Sequence, residues 1–202
     1  MASSQPATLR ERKKAQTRAQ ILEAAQELIV ERGYESTTMD EVAARADVSR
    51  GTVFNYFPRK DAFLEAWIQA RRAVIAELFE REQGQAVTTA ERLRHALLAL
   101  AELLESDVDT NRAITRAWVV AGGQLRPGAS ATADLFADTI RYGQAQGDVR
   151  DDLDAAHVAR VLLDAYSGAL VRWAGPETDV SLREAVTTVL EVILDGLISD
   201  TS

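Results

Sequence analysis

Between Ser49 and Lys60 the chain gathers side chains suited to a polyanion: the guanidinium of Arg50, the hydroxyls of Ser49 and Thr52, the rings of Phe54 and Tyr56, the amide of Asn55 and the ammonium of Lys60. Cations, hydroxyls and rings interleaved on one short helix can meet phosphate oxygens and base edges, and a guanidinium can pair bidentately with guanine. Other chemistries have thin support. The two histidines, His95 and His157, lie on different segments, and there is no cysteine. His157 follows Asp154 by three residues, the spacing of an ordinary surface pair on a helix. No metal-ligand spacing, Gly-rich phosphate loop or Gly-x-Ser-x-Gly nucleophile motif occurs. The expectation is a binding protein that is not an enzyme and carries no metal or cofactor.

Such side chains need a helix to present them and a second helix to brace it. Thr38-Met39-Asp40-Glu41 has the spacing of a capping box, which starts a helix at Thr38 that runs to about Arg45. Ser49 is a good N-cap for the next helix, and Pro58 stops that helix near Phe57. Only Ala46, Asp47 and Val48 separate the two. Upstream, Ile21, Leu22, Ala25, Leu28 and Ile29 form one apolar helical face that ends at Gly33. Val42, Ala43, Val48 and Val53 are spaced to pack these helices together, with Ala43 and Ala44 permitting a close approach. This is the pattern of a helix-turn-helix, whose second helix, residues 49–57, enters the major groove of double-stranded DNA.

Charge is divided along the chain to match. The 202 residues carry a net charge of −8, which taken alone disfavours nucleic acid. Residues 1–60, however, hold ten Lys or Arg against eight Asp or Glu, which leaves −10 for residues 61–202. Arg10, Arg12, Lys13, Lys14 and Arg18 face only Glu11. They read either as a phosphate-seeking arm or as the solvated start of a helix. With 47% hydrophobic and 27% charged residues, no apolar run long enough for a membrane span and no secretory leader, the chain reads as soluble and cytoplasmic.

From residue 60 onward the periodicity predicts six more helices, at about 60–82, 89–106, 108–121, 129–146, 153–174 and 180–199, with breaks at Gly84, Gly122-Gly123, Pro127-Gly128, Gly147-Asp148 and Gly175-Pro176. The fold expected is all-α, about nine helices. A disordered tail at 1–9 precedes a three-helix helix-turn-helix domain at 10–59 and a helical ligand-binding and dimerisation domain at 60–202.

The runs Ile21-Leu22-Glu23-Ala24-Ala25, Glu31-Arg32-Gly33-Tyr34, Thr37-Thr38-Met39-Asp40-Glu41-Val42-Ala43 and Val48-Ser49-Arg50-Gly51-Thr52-Val53-Phe54-Asn55-Tyr56-Phe57-Pro58-Arg59-Lys60-Asp61 closely resemble the DNA-binding domain of tetracycline-repressor (TetR)-like regulators. The resemblance implies that Thr38 contacts phosphate, that Arg50, Gly51 and Phe54 face the groove, and that Thr52, Tyr56 and Lys60 hold phosphates. Position 54 is commonly tyrosine in the family; Phe54 lacks that hydroxyl but keeps apolar contact with a thymine methyl. Position 47 is commonly glycine, so Asp47 has to adopt the left-handed conformation if the turn is kept. The resemblance further implies a repressor that binds a near-palindromic operator as a homodimer and is released when a small ligand enters the larger domain.

Beyond Asp61 the residues themselves carry the reading. Helix 153–174 has one apolar stripe at Val158, Val161, Leu162, Ala165 and Ala169 and another at Leu163, Tyr166, Leu170 and Trp173. Helix 180–199 is similar. A four-helix dimer interface is expected from Val158, Leu162, Ala165, Gly168, Val186, Val189, Ile193 and Leu197, with Gly168 allowing close crossing. Candidate pocket residues are Leu97, Leu100, Leu104, Trp118, Phe136, Ile140 and Tyr166, a set that suits a small apolar or aromatic ligand. The −10 balance weakly favours a neutral or cationic molecule. The alternative is a regulator without a small-molecule site, constitutive or controlled by a protein partner.

Overall fold

A computed structural model of the chain describes residues 8–82, 87–123, 130–176 and 180–195. Among them are nine helices and no β-strand: α1 Leu9–Arg32, α2 Met39–Arg45, α3 Arg50–Tyr56, α4 Asp61–Glu82, α5 Thr89–Glu105, α6 Val108–Val120, α7 Ser130–Gln146, α8 Ala155–Ala174 and α9 Leu182–Leu194. The chain separates into two compact units, Met1–Ala66 and Trp67–Ser202. No described helix is long and apolar enough to cross a membrane.

In the first unit, local chemistry sets the helix ends. Thr38 caps α2, its hydroxyl accepting from the Glu41 amide while the Glu41 carboxylate accepts from the Thr38 amide. Ser49 caps α3 by accepting from the Thr52 amide at 3.1 Å. α1 starts earlier than its apolar face suggests, because Thr8 and Glu11 form a capping box of their own. Thr8 and Leu9, expected in a disordered tail, therefore begin this helix, and the basic cluster Arg10 to Arg18 rides on it as exposed or nearly exposed helical turns. The Thr-x-x-Glu spacing at Thr8 was legible and is the same signal that marks α2.

The core of this unit is Ile21, Ala24, Ala25, Leu28 and Ile29 of α1 with Val42, Ala43 and Ala46 around α2, Val53 of α3, and Phe57, Phe63 and Leu64 beyond it. Ala46, not Ala44, provides the second close approach, since Ala44 is exposed and Val48 only half-buried. The Phe57 and Phe63 rings stack at 4.7 Å. Gln20 of α1 donates to the Ala46 carbonyl at 2.8 Å, and Arg45 reaches Glu27 and Glu31, so the turn is tied to α1 from both sides.

Asp47 takes φ 50°, the only non-glycine positive φ among the described residues. The turn geometry is thus kept with aspartate where the family resemblance leads one to expect glycine, at the steric cost of a Cβ in the left-handed region. Asp47→Gly is expected to raise the thermal midpoint, by up to about 1 kcal/mol of stability, the relief being offset by the freer unfolded chain. An unchanged or lower midpoint in thermal denaturation would contradict this.

In the second unit α8 packs against α6, α7 and α9, and α5 packs against α6, α7 and α9. Leu93, Leu97, Leu100 and Leu104 of α5, Phe136 and Ile140 of α7, Leu162 of α8 and Leu190 and Leu194 of α9 make a contiguous core, joined by Ile75 and Phe79 of α4. Four of the expected pocket residues, Leu97, Leu104, Phe136 and Ile140, are fully buried parts of this core. Likewise Val158, Leu162 and Val186, expected between subunits, are buried within their own chain at 8%, 0% and 1% exposure. All three belong to the buried core of the second unit, so they serve the protomer's interior. Ala165, Gly168, Val189 and Ile193 remain partly exposed, and Leu197 lies outside the described residues.

Candidate functional site

In the first unit α3 leaves Arg50, Gly51, Phe54 and Asn55 exposed and Thr52 and Tyr56 half-buried, while Val53 is sealed in the core. Anchoring by one face therefore projects all six as one patch. The Arg50 guanidinium lies 5.4 Å from the Phe54 ring centroid and makes a 3.0 Å ion pair with Asp40 of α2. Asp40 was not singled out from the sequence, although its place at the start of α2 puts it beside the α3 N-terminus. Gly51 has room around it: a Cβ would meet only the Ser49 hydroxyl, at 3.8 Å.

The structure changes the reading of two expected phosphate ligands. Thr38 has both its amide and its hydroxyl committed to the Glu41 carboxylate, at 3.0 and 2.8 Å, and Arg32 binds the same carboxylate group. These hydrogen bonds hold the Glu41 carboxyl below its usual range, so a negative charge already sits on this helix start. Lys60 donates to the carbonyls of Tyr34, Glu35 and Thr37 at 2.8, 3.3 and 3.1 Å, and its ammonium lies 4.3 Å from the Tyr34 ring centroid. It gathers the loop between α1 and α2; its ammonium is turned inward and spent on backbone.

The second unit contains a cavity of about 150 Å³. Of the candidate pocket residues, Leu100, Trp118 and Tyr166 line it; the remaining apolar wall comes from Ile68, Ile75, Leu163, Leu170 and Val171. Gly123 lies against the Trp118 indole so closely that an added Cβ would fall 2.0 Å from a ring carbon. The polar lining escaped the sequence reading: Arg71 and Arg72 of α4, Thr115 of α6, Thr132 of α7, and Asp164 and Ser167 of α8. A signal was there. Ile68, Arg71, Arg72 and Ile75 stand at i, i+3, i+4 and i+7, the positions of an inward helical face, with two arginines where apolar residues are the rule.

Residues 21–67 match the model for bacterial regulatory proteins of the tetR family, and residues 70–196 match that for the C-terminal domain of TetR/AcrR family transcriptional repressors. The chain is 30% identical over 181 residues to the transcriptional repressor KstR of Rhodococcus jostii, covering 86% of this chain and 81% of that one. It is 29% identical to KstR of Mycobacterium tuberculosis over 169 residues, 82% and 76% of the two chains. Among solved structures it resembles Thermus thermophilus FadR, a TetR-family repressor in complex with lauroyl-CoA, with a TM-score of 0.70, 31% identity and coverage of 92% and 97%. SmeT, repressor of a Stenotrophomonas maltophilia efflux pump, shares the fold at a TM-score of 0.76 and 23% identity, with 91% of each chain covered. The exposed α3 row on its braced helix-turn-helix is thus matched by family models along nearly all of the described chain, and the protein belongs to the TetR family as a DNA-binding transcriptional regulator, not an enzyme.

Proposed function

We propose that the protein is a repressor that binds a near-palindromic operator as a homodimer and is released by a small molecule held in the cavity of its second unit. The observation that carries the DNA half is the exposed α3 patch; on this reading Arg50, Gly51, Phe54 and Asn55 meet base edges, and Ser49, Thr52 and Tyr56 meet the flanking phosphates. Gly51 supports it: glycine in a helix is costly, and no neighbour in the protein requires it, whereas close approach to DNA does. Relatives named as repressors support the sign of regulation.

Dimerisation is supported by the apolar surface left on α8 and α9. Val161 and Val192 are 46% and 74% exposed and stand beside Ala165, Gly168, Val189 and Ile193. A Cβ on Gly168 would meet only an Arg172 nitrogen, at 3.5 Å, so nothing within the protomer calls for glycine there. A two-fold axis through this face would pair two recognition helices, which need a separation of about 34–36 Å to enter successive major grooves. The cavity favours ligand control over the partner-controlled alternative. Helix α4 supplies four of its lining residues and begins at Asp61, shortly after α3 ends, so a ligand that shifts α4 acts on the segment leading from the recognition helix.

Selection of duplexes from a random pool by the full-length protein is expected to enrich a sequence with two-fold symmetry, and light scattering at micromolar concentration to give twice the chain mass. Val192→Asp is expected to shift that mass toward the monomer and to weaken operator binding. A monomeric wild-type protein, or enrichment of asymmetric sequences alone, overturns the paired half-site reading.

A further inference from the structure

The cavity has a local charge opposite to that of the domain around it. Arg71 and Arg72 both line it, and the one carboxylate among its lining residues, Asp164, is exposed to solvent. The Arg71 guanidinium donates to Asn111 at 3.1 Å, an uncharged partner. Two polar atoms of the lining are buried without a hydrogen-bond partner, Nε of Arg72 and Oγ1 of Thr115. Buried polar groups are almost always satisfied, so two such atoms among the lining residues of one cavity mark where a ligand's acceptor belongs. The rest of the lining is largely apolar, including Ile68, Ile75, Leu100, Trp118 and Leu170. Tyr166 also lines the cavity, and burial pushes its phenol up to about 12.

We infer that the cavity binds a small carboxylic acid with a single-ring apolar body, its carboxylate on Arg72, Arg71 and the Thr115 hydroxyl. This rests on the ligand-release reading above and names the ligand class for it. The volume sets the size, since an apolar cavity of about 150 Å³ accommodates one benzene ring. The acceptor count sets the headgroup: a carboxylate offers about four lone-pair sites and pairs bidentately with guanidinium, which an amide or an alcohol does not. The weak preference for neutral or cationic ligands drawn from the −10 balance is overridden, because exposed outer carboxylates are screened within about a Debye length and the two arginines are at the cavity itself.

Calorimetric titration of the full-length protein with phenylacetate, phenylacetamide and phenethylamine separates charge from shape. Phenylacetate is expected to bind at least tenfold more tightly than the amide, and the amine not at all. Arg72→Gln is expected to erase most of that preference. Thr115→Val is expected to weaken phenylacetate several-fold while the ligand-free midpoint stays level or rises by roughly 2–4 °C, because the deleted hydroxyl has no partner to lose. A structural role for Thr115 would lower the midpoint and leave relative affinities alone. Equal or tighter binding of the amide or amine, or no binding of phenylacetate at millimolar concentration, overturns the inference. If phenylacetate binds as expected but leaves operator affinity unchanged at saturation, the acid site stands and the ligand-release reading falls.

Discussion

Arg50→Ala is expected to abolish base discrimination at one position in each operator half-site while leaving substantial non-specific binding. A bidentate guanidinium–guanine contact is worth about 1–3 kcal/mol, and a dimer loses it twice. Arg50 is available for the task. Its ion pair with Asp40 joins side chains that are 68% and 60% exposed, and such surface pairs contribute about 0–1 kcal/mol, so exchanging Asp40 for a base edge costs little. The Phe54 ring beneath the guanidinium limits its sweep before DNA arrives. The measurement is the affinity of wild type and variant for the selected operator and for the same duplex with each candidate G·C pair reversed. If Arg50→Ala keeps the wild-type preference at every pair, Arg50 does not read a base.

Lys60→Met is expected to lower the stability of the first unit by about 2 kcal/mol and to weaken DNA binding through that loss. The ammonium joins three carbonyls of the α1–α2 loop; without it they must find water, and the loop that leads into the α2 cap loosens. The competing expectation, a direct phosphate contact, has a different signature. Each lost phosphate contact reduces the slope of log affinity against log salt by about 0.9. The structure therefore calls for a lower melting temperature with an unchanged salt slope. A smaller slope at constant melting temperature would return Lys60 to the phosphate backbone.

The two variants show where reading from letters succeeds. Helix starts at Thr38 and Ser49 and the stop before Pro58 depend on contacts within four residues, so they are legible in the chain itself, whereas the left-handed Asp47 was expected from the family resemblance. The capping box at Thr8 is equally local and went unread because residues 1–9, small and polar with one proline, read as a tail. Longer-range assignments were less secure. Lys60 resembled a phosphate ligand by its place in the motif, yet the residues that capture it lie 23 to 26 positions away.

In the larger unit the periodicity located every helix start to within about two residues, the expected end of the last helix at 199 lying outside the described residues, but left open what each face meets. Val158 and Leu162 turn into the protomer while Val161 and Ala165, on the same helix, stay at the surface. Leu97, Phe136 and Ile140 fill the core, and Arg71 and Arg72 occupy positions that the pattern assigns to leucine.

What the sequence determined by itself was therefore the set of helices, the helix-turn-helix and the identity of its outward patch, with Arg50 at its centre. Caps, turns and amphipathic faces are short-range consequences of residue type. Only the tertiary structure decided which apolar face is core and which is surface, that Lys60 braces a loop, and that two arginines and an unpartnered threonine line one cavity. Those outcomes depend on which helices pack together across long stretches of chain, and periodicity states that a face is buried without stating against what.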